Sequence, residues 1–274
     1  MKDAIGDRMK NQYENRTRIF LPRRTYTIIR LDGKAFHTFT KDMERPYDKN
    51  FMTVMNETAK FICEEIQGAK IAYVQSDEIS VLLTDFDKIT TDAWFDGNIQ
   101  KIVSVGASLA TAKFNDVFKY EFDPLETKMA FFDARTFTIP DRTEVSNYFI
   151  WRQKDAVRNS IAMTAQNLYS HKELEGKSSK DQLDMIYEKG DNWNKMPSGF
   201  KRGRIVIYES KYDKEVNLEA LAHGATVEEA EKSAMRGFWN VIEAPDFVKD
   251  VYSGDITLDL FIPNYDPLRI IKKN

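Results

Sequence analysis

The chain has 274 residues, 42% of them hydrophobic, and its 40 basic and 43 acidic side chains give a formal net charge of -3. That content supports a folded core of one large domain or two small ones and excludes a disordered chain, while the charge balance leaves any nucleic-acid partner to local cationic patches. No apolar run approaches the roughly 20 residues that span a bilayer, and MKDAIGDRMKNQYENRTRIF lacks the apolar core of a signal peptide, so the expectation is a cytoplasmic protein with no membrane partner.

TYTIIRLD predicts a strand over 25–32. FMTVMNETAKFICEEI, apolar at 51, 54, 55, 61, 62 and 66 with Thr58 on the same face, predicts a helix over 49–67 whose buried face carries the lone Cys63 as a packed thiol. Two strands follow at 69–75 and 79–84, separated only by Ser76-Asp77-Glu78, which reads as a hairpin. A helix over 97–119 presents Ile99, Ile102, Val103, Gly106, Leu109, Ala110 and Val117 on one face, and KMAFFDARTFTI predicts a strand over 128–139. The order βαββαβ is the ferredoxin-like pattern, an α+β fold whose antiparallel sheet is covered by helices on one face and free to carry chemistry on the other. Polymerase palms have this layout.

The second half predicts a helix over 144–170, a basic loop KELEGKSSK, a helix over 180–189 stopped by Gly190, a loop with Trp193 over 191–200, and a strand over 204–209. Two further strand-like pieces are expected near 213–216 and 256–262, and the last stretch, VYSGDITLDLFIPNYDPLRIIKKN, reads as a strand with a basic tail. With no repeat or low-complexity linker, the expected division is a palm-like catalytic domain over 1–140 and a region over 141–274 packed directly on it, used for RNA binding and oligomerisation.

The topology makes the first strand and the hairpin neighbours, so Asp32 and Asp77 are expected side by side at one sheet edge. One cysteine and three scattered histidines, His37, His171 and His223, exclude a Cys/His zinc site, so the expected metal is oxygen-bound. Two carboxylates suit Mg²⁺, which completes its octahedron with water and substrate phosphates, and Gly33 lets the backbone carbonyl approach an ion. Two such ions organise in-line phosphoryl transfer. Arg30, Lys34, Lys41 and Arg45 supply cations for a nucleoside triphosphate. His37 and Phe36 are candidates to contact a base or ribose, though Phe36 and Phe39 read equally as core after a turn. Glu78 reads either as a further acidic group of the site or as a solvated one. Asp-Gly alone is a common turn and Ser-Asp-Glu alone a common hairpin tip; their convergence in one topology favours a site.

RLDGKAFHTF, AYVQSDEISVLL, FDARTFTIP, YFIWRQKDAVRNS and NWNKMPSGFKRG, in this order, resemble the tRNA-His guanylyltransferase superfamily over roughly residues 5–210. The resemblance implies a polymerase-like palm with an interlocked α/β C-terminal region, assembled as a homotetramer, that adds nucleotides to the 5′ end of tRNA in the 3′-to-5′ direction. It implies two Mg²⁺ ions on Asp32 and Asp77 with the Gly33 carbonyl assisting and Glu78 nearby. Lys34, Phe36, His37, Arg45, Asp48 and Ser76 match positions lining the nucleotide and triphosphate sites. ATP would activate a 5′-monophosphate, and the 3′-hydroxyl of GTP or another nucleoside triphosphate would then attack. Eukaryotic members carry His-Ile-Asn-Asn-Leu-Tyr-Asn where this chain reads Val157-Arg158-Asn159-Ser160-Ile161-Ala162-Met163, sharing only Asn159 and the aliphatic Ile161. Val157 replaces the histidine tied to the tRNA-His anticodon and cannot hydrogen-bond a base. The pattern resembles the guanylyltransferase-like branch of bacteria, archaea and phages, which implies template-dependent repair of 5′-truncated tRNAs; addition of the identity guanosine to tRNA-His is the alternative.

Templated addition leaves the protein to read RNA backbone and shape. Candidate contacts are Arg152, Lys154, Arg158 and Asn159 on one helix, Lys177, Lys180, Lys201, Arg202 and Arg204 later, and Arg16, Arg18, Arg23 and Arg24 near the start; each alone also reads as an ordinary surface charge. Trp193 reads as a base-stacking or a packing residue. Two other functions compete: a palm-fold nucleotide cyclase, whose Gly-Gly-Asp-Glu-Phe hairpin is absent, and a non-catalytic RNA-binding module, which retention of both carboxylates disfavours.

Overall fold

In the computed structural model of the chain, residues 4–122, 128–249 and 262–263 are described. Helix α1 (Ala4–Gln12) precedes β1 (Tyr26–Gly33), the single-turn α2 (Phe36–Phe39), α3 (Lys49–Glu65), the hairpin β2 (Ala69–Gln75) and β3 (Glu78–Leu83), α4 (Ile99–Glu121) and β4 (Phe132–Ile139). Then come α5 (Arg142–Leu168), the short α6 (His171–Leu174), α7 (Ser179–Glu188), the short α8 (Ser198–Lys201), β5 (Arg204–Tyr212), α9 (Lys214–Ala222), α10 (Val227–Ser233) and β6 (Met235–Glu243). The strands form one sheet in the order β4-β1-β3-β2-β5-β6, with every pairing antiparallel. Its first four strands have the expected βαββαβ topology, and β5 and β6 from the second half extend the same sheet.

The period-two alternation of the strands sends side chains to two cores. Ile29 and Leu31 of β1, Ala72 and Val74 of β2 and Ile79 and Val81 of β3 pack against α3 and α4, where Val54, Met55, Ile62 and Cys63 meet Phe114 and Phe118. Tyr26, Ile28, Ile71, Tyr73 and Leu82 point the other way and are covered by Val145, Tyr148, Phe149 and Ala156 of α5. The second face, expected to be free, is therefore covered. Its own side chains are apolar, so leaving it in water would forfeit roughly 1.5–3 kcal/mol per large residue. What remains open is the end of the sheet, where β1 stops and the β2–β3 hairpin turns.

The segment near 213–216 is the start of α9 and not a strand. Asp213 caps it, its carboxylate accepting from the Glu215 and Val216 backbone amides at 3.1 and 3.2 Å, and a satisfied helix N-terminus outcompetes a short extended run. β5 runs on to Tyr212 because an unexpected partner, β6, pairs with it from Arg204↔Glu243 to Tyr212↔Met235. The strand expected near 256–262 and the basic tail lie outside the described residues, apart from Ile262 and Pro263.

Candidate active site

β1 ends on Asp32-Gly33, with Asp32 opposite Glu78 of β3 on one side and Asp133 of β4 on the other. The Gly33 amide donates to the Asp77 carbonyl at 3.1 Å, which ties the end of the strand to the hairpin turn and sets Asp32 and Asp77 together. That turn has two residues, and Ser76 adopts φ 45, a left-handed conformation that costs a non-glycine residue on the order of 1 kcal/mol. The Ser76 hydroxyl hydrogen-bonds the Asp77 carboxylate. Burial pushes the Asp77 carboxyl up to about 6; its own backbone amide and Ser76 work against that, and the charges of Asp32 and Glu78 add to it. Arg135 of β4 stands 3.8 Å from Asp32 and 3.5 Å from Asp133, and all three are substantially exposed.

Two adjoining carboxylates, one buried enough to resist ionisation, form a site that a cation would stabilise. Among the described residues no three or more His, Cys, Asp or Glu side chains group to hold a metal. One or two carboxylates are nevertheless what Mg²⁺ takes from proteins, the rest of its shell being water and substrate phosphates, so these residues fit that ion.

Gly33 has a second reason to be glycine. A Cβ there would lie 2.3 Å from Cδ2 of Phe36, whose ring folds back over the strand end. Ala35 makes this reversal possible by turning through φ 55, ψ 36. The Phe36 ring, only 4% exposed, is surrounded by Phe39, Phe114 and Phe132 at 5.1–5.3 Å and Phe51 at 6.1 Å. Of the two readings the sequence left open, Phe36 and Phe39 take the core one, with Phe36 also forming part of the floor of a cleft.

That cleft caps the end of the sheet and encloses about 530 Å³, within the range of small-molecule sites. Asp32, Gly33, Ser76 and Asp77 line one end, the loop from His37 through Arg45 and Tyr47 forms a wall, and α3, α5 and α8 close the rest. His37 and Arg45 are exposed, and Arg45 Nη2 donates to the Thr40 carbonyl at 3.2 Å. Asp48 faces the cleft, but its two oxygens are taken. One accepts from the Phe51 amide at 2.9 Å as the cap of α3 and the other from the Glu44 amide at 3.2 Å. Lys34 is exposed and outside the cleft wall.

Sequence reasoning missed the contribution of α5. Ala156, Ser160 and Met163, with the expected Asn159, line the cleft at helical spacing, and Phe200 lies across from them with its ring 4.9 Å from that of Tyr47. The signal available was the spacing of Ala156, Asn159, Ser160 and Met163, which places them on one face of the helix.

Glu78 and Arg152 are both taken out of the roles expected for them. Glu78 is 6% exposed and accepts from Arg152 Nε and Nη2 at 2.8 Å each, a bidentate pair joined by Ser80 at 3.3 Å. Arg152, 7% exposed, also donates to Asp155 at 2.5 Å. The pair bolts α5 to the strand behind Asp77, because the hairpin turn points Asp77 into the cleft and the next residue into the sheet. Arg152 is therefore a buried strut and not a surface RNA contact. Arg30 lies on the same covered face beside Tyr148, outside the cleft wall, and its Nε is buried without a hydrogen-bond partner among the described residues.

Of the other cations expected to meet RNA, Lys154, Arg158, Lys177 and Lys180 are exposed, as is Asn159, and Arg158 pairs with Asp155. Lys201 is buried: its ammonium donates to the Asn194 carbonyl at 2.6 Å and lies over the Trp193 ring. Arg202 is half-buried, 3.5 Å from Asp246, and Arg204 is buried. Arg23 and Arg24 clamp Asp85 and the loop after it. Arg16 bonds Gln12, and Arg18 pairs with Glu14. Trp193 packs, its indole donating to Ser160 at 3.0 Å. Val157 packs on the same small core, with Ile161, Ala165 and Ile186.

A palm-like sheet with two acidic side chains at its end, opening on a cleft of nucleotide size, defines the class of palm-type nucleotidyltransferases. The chain belongs to the tRNAHis guanylyltransferase (Thg1) family, whose model matches residues 6–140. It is 31% identical over 211 residues to the tRNA(His) guanylyltransferase of Schizosaccharomyces pombe, covering 72% of this chain and 78% of that protein. A solved structure described as a bacterial tRNA(HIS) guanylyltransferase (Thg1)-like protein in complex with ATP superposes with TM-score 0.78 at 42% identity, covering 95% of this chain and 100% of that one. A bacterial Thg1-like protein in complex with GTP gives TM-score 0.74 at 41% identity, covering 94% and 99%. The protein is accordingly a tRNA guanylyltransferase-like nucleotidyltransferase. Among the described residues no helix is long and apolar enough to cross a membrane.

Proposed function

We propose that the protein is a Mg²⁺-dependent 3′-to-5′ nucleotidyltransferase that extends the 5′ end of tRNA, with template-dependent repair of 5′-truncated tRNAs as its task. The observation that carries the reading is the pairing of Asp32 with Asp77 at the mouth of a nucleotide-sized cleft in a chain of this family. Asp32, Asp77 and the Gly33 carbonyl would hold Mg²⁺, which when bound supplies charge neutralisation for phosphoryl transfer. In the first step an oxygen of the RNA 5′-monophosphate displaces pyrophosphate from ATP. In the second the 3′-hydroxyl of an incoming nucleotide displaces AMP, giving up its proton as the new phosphodiester forms. Both are displacements at phosphorus, so one site serves both.

The chain's own groups position these reactants. Ser76 orients the Asp77 carboxylate, His37 and Arg45 offer exposed donors on the cleft wall, and Asn159 presents its amide from α5. The relatives solved with ATP and with GTP support a purine nucleotide in the cleft. Packing of Val157 into the core supports repair over anticodon-directed addition, because this position has no polar group to offer a base. Exposed Lys154, Arg158, Lys177 and Lys180 are the candidates to meet tRNA phosphates, in a homotetramer such as the family resemblance implies.

Incubation with labelled 5′-monophosphorylated tRNAs lacking their first nucleotide, with the opposite base varied, tests the task. Repair requires the added nucleotide to follow the opposite base in several tRNAs. Extension of tRNA-His alone, by guanosine whatever the opposite base, would establish the other activity, and turnover of GTP without RNA would establish a cyclase.

A further inference from the structure

Arg204, the first residue of β5, is 5% exposed and yet forms part of the cleft wall. Its Nε donates to Asn56 Oδ1 at 2.8 Å and its Nη1 to the Gly199 carbonyl at 3.0 Å. Its Nη2 is buried with no acceptor among the described residues. An unmatched buried donor bears its desolvation cost in full, and such a group in a ligand cleft is explained most simply by an acceptor on the ligand. Burial lowers the side chain to about 10, so it remains a cation at neutral pH, favoured through space by the Glu243 carboxylate.

The surroundings determine what that acceptor belongs to. Asp32 and Arg204 lie on β1 and β5, with β3 and β2 between, which is three interstrand spacings or roughly 14 Å. The carboxylate end suits metal and phosphates. The wall near Arg204 is apolar and aromatic, with Met52, Ala156 and the Tyr47–Phe200 ring pair, and so suits a flat heterocycle. With Nε and Nη1 each already donating, Nη2 is the nitrogen left without an acceptor, and a single acceptor on the ligand satisfies it. Bacterial relatives have been solved with ATP and with GTP, and N7 is the major-groove acceptor that adenine and guanine share.

We propose that Arg204 is a specificity-determining residue that selects a purine as the activating nucleotide in the cleft by donating from Nη2 to N7 of the base, the nucleotide added afterwards being chosen by the opposite strand. This rests on the reading of the cleft as a nucleotide site. A pyrimidine has no N7 and is a ring shorter, so it leaves the donor unmatched.

The test measures affinities of the wild-type chain and of Arg204→Met for ATP, 7-deaza-ATP, GTP, 7-deaza-GTP and inorganic tripolyphosphate. Wild type is expected to bind each 7-deaza nucleotide about tenfold more weakly than its parent, the scale of one hydrogen bond from a charged donor. Arg204→Met should bind parent and 7-deaza forms equally, with tripolyphosphate unchanged. If the variant does not fold, judged by circular dichroism, Arg204→Lys replaces it, since an ammonium keeps the charge and loses the fork. Equal binding of both forms by wild type, discrimination that persists in a folded variant, or a matching loss of tripolyphosphate binding would each overturn the assignment. A wild-type chain that binds no nucleotide refutes the nucleotide reading itself, a result distinct from a failure of Arg204 alone.

Discussion

Replacing Arg152 with methionine removes a guanidinium and leaves Glu78, 6% exposed, as a buried carboxylate. It loses two charge-assisted hydrogen bonds of 2.8 Å and keeps only Ser80 at 3.3 Å. Breaking a buried pair from one side costs about 3–5 kcal/mol, because the remaining charge is neither hydrated nor matched. In a domain of this size each kcal/mol moves the melting temperature by about 2–4 °C, so a fall on the order of 10 °C is expected by thermal circular dichroism. The double variant Glu78→Leu, Arg152→Met leaves no unmatched charge on the strand and should recover a large part of that loss, since an apolar pair of similar volume often replaces a buried ion pair at little cost. Arg152→Met with near wild-type stability and weakened tRNA binding would refute the strut and restore the surface role that its place among basic residues suggested.

Gly33→Ala puts a methyl within 2.3 Å of a Phe36 ring boxed in by four other phenylalanines, so a destabilisation of about 1–3 kcal/mol is expected in urea titration; a neutral result would mean that the ring is free to move. Asp48→Ala should cost about 1 kcal/mol as a lost helix cap, whereas unchanged stability with lost nucleotide binding would make Asp48 a ligand residue. The folded Asp77 carboxyl, at about 6 against an ordinary 3.8, binds its proton more tightly than the unfolded chain does. Its stabilisation is therefore present below pH 3.8 and lost as pH rises through about 6, on the order of 3 kcal/mol in all. Metal-free Asp77→Asn should then be more stable than wild type above about pH 6 and equal to it below about pH 4, in urea titrations with a chelator; no crossover would contradict the burial of this carboxyl.

The sequence carried most of the palm because strand alternation and helix periodicity there agree with the tertiary structure: β1, the hairpin and α3, α4 and α5 all lie within a few residues of their expected bounds. It carried less of the second half. β6 reads MRGFWNVIE, a run broken by glycine and asparagine that becomes a strand by pairing with β5, and α9 depends on the Asp213 cap more than on an apolar face. The convergence of Asp32 and Asp77 was legible because it follows from strand order. The burial of Arg152, Lys201 and Arg204 was not, because a basic residue reads the same on a surface and in a core until its partner is placed. Likewise the glycine at 33 suggested an approaching ion, and the structure adds a phenylalanine ring packed against it.

Single-turnover addition to a truncated 5′-monophosphorylated tRNA decides whether the Asp32 and Asp77 pair carries metal-dependent nucleotide addition. The assay compares wild type, Asp32→Asn and Asp77→Asn across a Mg²⁺ titration. Incorporation should rise with Mg²⁺ in wild type and fall by at least about a thousandfold in each variant, the scale of losing a charge-stabilising group, while circular dichroism shows both folded. Folded variants that retain incorporation near the wild-type rate, or a wild-type rate indifferent to Mg²⁺ and to its removal by chelator, would contradict that role of the pair.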